Sequence, residues 1–255
     1  SLVGKRFAKT NITKVPPFRS PHHTATTAAL VGGGSNPVPG EISLAHKGVL
    51  FLDELPEFSR ATLESLRQPL ESGKITIARA TKHVVFPADF QLIAAMNPCP
   101  CGNFSNPKRE CRCTPDKINA YRSKISAPWL DRIDLQVEVP AMDYEESIAP
   151  KPKDADNKKK SSYPHQLIEN VLAAREIQLR RAAKLNSNLS PADLDKYCDI
   201  SECKDIIKSA IDKLGLSLRA VHRVMKVART IADMESKDRI DKTHLAEAIS
   251  YRFAN

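Results

Sequence analysis

No apolar run in the 255 residues approaches the ~18 needed to span a bilayer, and no basic-then-apolar leader stands at the start. Neither a membrane segment nor a signal peptide is therefore expected, and a cytoplasmic location is. A phosphate-binding Gly-x-x-x-x-Gly-Lys-Ser/Thr is also missing: Gly4-Lys5 runs into Arg6, and Gly73-Lys74 into Ile75. No internal repeat is visible. The chain opens on Ser1 rather than Met, which suggests a piece of a longer protein. Its length suits one large domain or two smaller ones.

Positive charge is in excess. Lys and Arg number 39 against 30 Asp and Glu, a net charge of +9 that favours a polyanionic partner, with a merely solvated basic face as the alternative. Four of the six cysteines crowd into fifteen residues, as Cys99-Pro-Cys101, nine residues, then Cys111-Arg-Cys113. Such crowding reads as a metal site rather than a disulfide framework. Four thiolates satisfy a tetrahedral Zn²⁺ and leave no open coordination position, so the ion's role would be structural; reduced free cysteines are the alternative. Cys198 and Cys203 read as ordinary buried residues.

The stretch Gly48-Val-Leu-Phe-Leu-Asp-Glu54 organises the first half. Val49 to Leu52 is an apolar run of strand length, which predicts a strand covered on both faces in a parallel sheet. It ends on Asp53 and Glu54, where open α/β sheets place their ligands. In a nucleotide hydrolase, the first acid would help hold Mg²⁺ and the second would polarise the attacking water. A buried strand followed by an acidic helix start accounts for the stretch equally well.

Around it, Gly32 to Gly40 reads as a mobile loop, with phosphate-backbone contact the better reading than nucleotide binding. The His22-His23 pair has no second ligand cluster at motif spacing. Leu55 to Gly73 reads as one helix, with Pro69 unfavourable in its last turn. Lys74 to Ala78 and His83 to Phe86 read as a β-hairpin whose tip carries Arg79, Lys82 and His83, either a solvated turn or a nucleic-acid finger. Phe90 to Asn97 is a further strand, Thr114 to Ala127 a helix, and Trp129 to Val139 runs into one more strand. Lysines and prolines between Pro150 and Ser162 mark a linker. Helices then follow over His165–Leu185, from Ser190, over Ser201–Leu214 and Ser217–Met234, and from Asp241. The reading is α/β: a parallel-sheet core over 1–147, a linker over 148–162 and a small helical domain over 163–255.

The order of Asp53-Glu54, hairpin, Asn97, Leu130-Asp-Arg132-Ile-Asp134 and Leu216-Ser-Leu-Arg219 resembles the AAA+ ATPases of the magnesium-chelatase-like group, ComM/YifB type. Four stretches carry the likeness across nearly the whole chain: Pro-Phe-Arg-Ser-Pro-His-His-Thr, Gly-Glu-Ile-Ser-Leu-Ala-His, Ala-Ala-Met-Asn-Pro-Cys-Pro-Cys-Gly and Val-Ala-Arg-Thr-Ile-Ala-Asp. The resemblance implies an incomplete three-layer αβα core with a helical lid, and a use for ATP and Mg²⁺. It implies that Asp53 and Glu54 are the Walker B pair, Asn97 is sensor 1, Arg132 is an arginine finger reaching a neighbouring subunit's ATP, and Arg219 is sensor 2, in its own subunit or the neighbour's. It further implies a ring, a hexamer by expectation. The Arg79–His83 hairpin and the Gly32–Gly40 loop would grip single-stranded or branched DNA, in a branch-migration motor of natural transformation. In the family the phosphate-binding loop precedes the region where this chain begins, so the chain alone is expected to be inactive as an ATPase. Two alternatives stand beside this: a chelatase-type motor subunit acting on protein partners, and a non-enzymatic, zinc-stapled DNA-binding module.

Overall fold

The computed structural model describes residues 15–79, 82–104, 106–140 and 165–253. The chain gathers into two units, Ser1–Arg132 and Ile133–Asn255. The first contains, in order, β1 (Phe18–Arg19), α1 (Thr27–Val31), β2 (Gly32–Gly33), β3 (Val38–Pro39), α2 (Glu41–Leu44), β4 (Val49–Leu52), a 3₁₀ turn (Leu55–Glu57), α3 (Arg60–Ser65), α4 (Arg67–Ser72), β5 (Lys74–Arg79), β6 (Lys82–Pro87), β7 (Gln91–Ala94), α5 (Pro115–Arg122) and α6 (Ala127–Leu130).

The expected parallel core is present. β4 lies between β1 and β7 and runs parallel to both, with Val49 opposite Phe18 and Gln91, and Leu52 opposite Ala94. Strand pleating turns Leu50 and Leu52 to one face, where both are fully buried, as are Leu30, Ile42 and Leu66 of the surrounding segments. Val49 and Phe51 on the other face are half-buried, and Ile93 of β7 is 45% exposed, so the described residues cover one face fully rather than both. Gly48 opens β4 because nothing larger fits: a Cβ there would lie 1.9 Å from the Pro17 carbonyl oxygen, which accepts from Val49 N–H at 2.8 Å. An Arg19–Glu41 pair, with two 2.6 Å hydrogen bonds, ties β1 to α2.

Three further expectations change. The mobile glycine loop is pinched into a hairpin, with Gly32 opposite Pro39 and Gly33 opposite Val38. Its neck is tight: Gly32 has φ +95°, which disfavours a side chain, and a Cβ on Gly40 would meet the Leu30 carbonyl at 2.3 Å. The single helix over Leu55–Gly73 breaks into a 3₁₀ turn, α3 and α4. Ser59 caps α3 through Thr62 N–H, and Pro69 lacks the N–H that would carry one helix through the α3–α4 junction. The expected strand after Trp129 is absent. Trp129 is buried in α6, and residues 133–139 run irregularly with Leu135, Val137 and Val139 more than half exposed. They belong to the second unit, because Gln136 N–H donates to the Tyr251 carbonyl and Arg223 pairs with Asp134 at 2.6 Å. The hairpin β5–β6 forms as expected, in register from Lys74 opposite Pro87 to Arg79 opposite Lys82.

The second unit is helical: α7 (His165–Ala182), α8 (Pro191–Tyr197), α9 (Lys204–Leu214), α10 (Leu218–Met234) and α11 (Lys242–Ser250). Ser190, Ser217 and Asp241 cap α8, α10 and α11 through their side chains, and Gly215 closes α9 in the left-handed region. Val224, Ala228, Ala232 and Leu245 form the fully buried centre. Beside it sits a buried charge cluster. Asp233, with no exposed side-chain surface, takes both terminal guanidinium nitrogens of Arg181 at 2.6 and 2.7 Å, Arg229 Nε at 3.1 Å and Asn186 Nδ2 at 2.8 Å. Residues 141–164, with the linker assigned to 148–162, lie outside the described residues.

Two stability predictions follow from these contacts. Asp233→Asn strands two guanidinium groups against one neutral amide, and urea titration should show a loss of about 3–5 kcal/mol. Gly48→Ala should lower the thermal midpoint through the first unit, because β1 must move off β4 to admit one methyl; an unchanged midpoint would contradict the close approach at Pro17.

Candidate functional site

Three neighbouring parallel strands deliver their carboxyl ends to one edge of the first unit. β4 ends on Asp53 and Glu54, both exposed, and β7 runs on to Asn97, also exposed. The two ends are laced together: Ala95 N–H donates to the Leu52 carbonyl at 2.9 Å, and Leu55 N–H to the Ala95 carbonyl at 3.0 Å. Glu54 takes an unusual backbone, φ 51° and ψ 46°, in the left-handed region that costs a non-glycine residue free energy. Its N–H is held by Asp53 Oδ1 at 2.9 Å. The turn swings Glu54 out of the strand line and puts its carboxylate 2.9 Å from His23 Nδ1, on the segment leaving β1. The adjacent acids and Asn97 are thus brought to one edge. His23 joins them; in the sequence it was marked only by the paired histidines and by its place in the Pro-Phe-Arg-Ser-Pro-His-His-Thr stretch.

Beyond Asn97 the chain makes a compact sulfur cluster. Cys99 is fully buried, and the sulfurs of Cys99, Cys101, Cys111 and Cys113 all lie within 4.8 Å of one another. Cys99 to Cys101 is 3.4 Å, and Cys99 to Cys111 and Cys101 to Cys111 are each 3.7 Å. A tetrahedral ion with Zn–S bonds of about 2.3 Å sets its sulfurs roughly 3.8 Å apart, so the four residues fit such an ion. Backbone hydrogen bonds from Asn103 and Arg112, with a Cys99 contact, bring the Cys101 thiol down to about 6. Cys111 is pushed up to about 12; the Cys113 backbone hydrogen bond opposes the rise, but desolvation and the neighbouring sulfurs outweigh it. Arg122 of α5 steadies the loop, donating from Nε to the Pro98 carbonyl at 3.3 Å and lying 5.1 Å over the Phe104 ring.

The model for "Magnesium chelatase, subunit ChlI" matches residues 1–147, and that for "Magnesium chelatase, subunit ChlI C-terminal" matches 161–252. The chain belongs to the magnesium-chelatase ChlI family. Among the relatives of this ChlI-family chain is competence protein ComM of Haemophilus influenzae, 48% identical over 241 residues, covering 94% of this chain and 45% of that protein. YifB of Salmonella typhimurium, an uncharacterized protein, is 47% identical over 237 residues, 92% of this chain and 45% of that protein. An uncharacterized protein of Mycobacterium bovis is 37% identical over 258 residues, 99% of this chain and 49% of that protein. The chain therefore spans about half the length of the curated relatives it matches.

The remaining residues singled out in this ChlI-family sequence are placed differently. Arg132, at the end of α6, turns inward: its side chain is 5% exposed, with Nη2 2.6 Å from Glu71 and Nη1 donating to the Pro128 carbonyl. Arg219 is exposed in the first turn of α10, within the second unit. His83 is exposed on β6, opposite Ala78. The side chains of Arg79 and Lys82, and the tip residues 80 and 81, lie outside the described residues. No helix among the described residues is long and apolar enough to cross a membrane.

Protein purified without chelator should carry about one zinc per chain, and Cys99→Ser together with Cys111→Ser should abolish it. Acid must release the ion, because protons compete for the thiolates, so metal retention is expected to rise with pH. Metal analysis finding no zinc in the wild-type chain at neutral pH would refute the site.

Proposed function

We propose that this chain is the C-terminal part of a ring-forming AAA+ ATPase that moves DNA, most consistent with a ComM-like branch-migration motor of natural transformation. The observation that carries the reading is the convergence of Asp53, Glu54 and Asn97 at the carboxyl ends of adjacent parallel strands, in a chain of this family. Open α/β sheets bind their ligands at that edge, and strand order there sets where a phosphate sits.

In this reading Asp53 helps hold Mg²⁺, Glu54 accepts the proton of the attacking water, and Asn97 orients that water. Mg·ATP supplies the phosphoryl group and the charge that these residues address. The phosphate-binding loop belongs to the rest of the polypeptide. β7 is the outer strand of the described parallel sheet, and its far edge is suited to receive the strand that leads into that loop. Arg132 acts as a finger once its pair with Glu71 opens, and Arg219 contributes from the helical unit. The hairpin β5–β6 and the Gly32–Gly40 hairpin are the two features suited to grip a nucleic-acid backbone, supported by the net charge of +9. Zinc at the four cysteines staples the loop after Asn97 and takes no part in chemistry. The protein acts in the cytoplasm as a hexamer.

The 255-residue chain is expected to hydrolyse no ATP above background. The full-length protein, extended to the length of its relatives, should form rings and hydrolyse ATP faster with single-stranded or branched DNA. Glu54→Gln should remove turnover, and Arg79→Ala with Lys82→Ala should weaken DNA binding and flatten its salt dependence. Stimulation by a protein partner but not by DNA would favour the chelatase-type alternative. Steady turnover by the isolated chain, abolished by Glu54→Gln, would show that this chain is complete for catalysis.

A further inference from the structure

We propose that the loop from Cys99 to Cys113 is a binding site for single-stranded nucleic acid: Phe104 stacks on an unpaired base, and Arg109 and Arg112 meet the phosphates beside it. The inference deepens the reading of the chain as part of a DNA motor and rests on it. It adds a contact separate from the two hairpins, on a loop whose sulfurs explain its shape but not its surface.

Positive charge is concentrated here. Residues 101–124 hold six Lys and Arg against Glu110 and Asp116, a local excess of four out of nine for the whole chain. Other cations of the first unit face acids: Arg19 meets Glu41, Lys47 meets Asp89 and Arg67 meets Glu64. Arg109 and Arg112 are exposed, and neither is in an ion pair among the described residues. A polyanion arriving at this loop therefore meets charge that no neighbouring carboxylate has already neutralised.

Charge alone suits many anions, and the aromatic ring narrows the class. Phe104 is 38% exposed on the same loop. Its N–H donates to Cys99 Sγ at 3.3 Å, and Cys99 is fully buried, so the backbone beneath the ring is anchored in the core. The Arg122 guanidinium lies 5.1 Å from the ring centroid and is itself held by the Pro98 carbonyl at 3.3 Å. A ring fixed in this way has little freedom left to lose on binding. Single-strand sites combine these parts: a π-surface accepts bases of any sequence while cations follow the backbone. A duplex keeps its bases stacked on one another, and an acidic peptide brings charge but no flat base. The rest of the loop is held by local turns, from Gly102 N–H to the Cys99 carbonyl at 3.0 Å, Asn106 N–H to the Asn103 carbonyl at 3.1 Å and Lys108 N–H to Asn106 Oδ1 at 2.9 Å. The loop begins two residues after Asn97, so a strand seated on it acts on the segment that carries the water-orienting residue of the proposed motor.

The test measures binding by the full-length protein, by fluorescence anisotropy, to a labelled oligothymidine and to a strand of the same length made of abasic sites. Phe104→Leu, which keeps an apolar side chain but no ring, should weaken oligothymidine binding roughly ten-fold and leave the abasic strand within about two-fold. Phe104→Trp, which keeps a stacking surface, should bind oligothymidine at least as tightly as wild type. Arg109→Ala with Arg112→Ala should weaken both strands and lower the slope of log affinity against log salt by about 1.4, because each cation on a single strand contributes about 0.7. An iodouracil-substituted strand should crosslink under ultraviolet light to the peptide containing Phe104. Unchanged oligothymidine binding by Phe104→Leu, or equal losses by Phe104→Leu and Phe104→Trp, or equal losses on the two strands, would overturn the inference and leave the hairpins untouched. A wild-type protein that binds neither strand would instead remove the DNA reading on which it stands.

Discussion

β4 has a hydrogen-bonded partner on each side, and the candidate site depends on both pairings holding their register. Side chains alternate along a strand, so a slip of one residue would bring Leu50 and Leu52 out of the core and turn the half-buried Val49 and Phe51 into it. Two local devices prevent that slip. Gly48 lets the Pro17 carbonyl come close enough to bond Val49 N–H, which fixes β1. On the other side Lys47 N–H donates to the Asp89 carbonyl, Asp89 N–H donates to His46 Nδ1, and Gln91 N–H to the Gly48 carbonyl, which fixes β7. The segment that enters β4 therefore sets where Asp53, Glu54 and Asn97 emerge.

The second unit solves a different problem with the same economy of residues. Its helices carry ordinary apolar stripes, but Asp233 gathers Arg181 from α7, Arg229 from its own helix and Asn186 from the turn between α7 and α8. Apolar packing is non-directional; a carboxylate with several fixed donors is not. The cluster thus defines which turn of α10 meets α7 and the segment after it, and leaving it half-satisfied is costly because its members are withdrawn from water. This is also the physical content of the Val-Ala-Arg-Thr-Ile-Ala-Asp stretch: its Arg and Asp belong to the unit's interior.

The four cysteines follow Asn97 within the first unit. The loop from Cys99 to Cys113 contributes Cys99 to the core and little else, so its shape comes from sulfur proximity, from Arg122 over Phe104 and from the hydrogen bond to the Pro98 carbonyl. The close packing of the four sulfurs immediately after Asn97 limits how far the end of β7 can stray.

Several features were readable from the chain alone because their causes are local. The apolar run ending on two acids, the hairpin over Lys74–Phe86, the caps at Ser190, Ser217 and Asp241, and the paired Cys-x-Cys motifs depend on residues close in sequence. The failures were non-local. The segment after Trp129 alternates like a strand, but a strand needs a neighbour, and in the folded chain Gln136 N–H donates to the Tyr251 carbonyl instead. The helix over Leu55–Gly73 was apolar at the right period, yet the cap at Ser59 and the missing N–H of Pro69 divided it. Glycines at 32 to 34 suggested freedom, whereas the close approach of Val38 and Gly40 removed it at Gly32. The ion pair that Arg132 makes with Glu71, 61 residues away in sequence, was equally beyond local reading. His23 meets Glu54 across 31 residues for the same reason. Sequence by itself determined the elements and the chemistry they carry, since propensity, capping and ligand spacing act over a few residues. Tertiary structure alone decided which of those groups meet, because hydrogen bonds and ion pairs between distant residues exist only once the strands have taken their register.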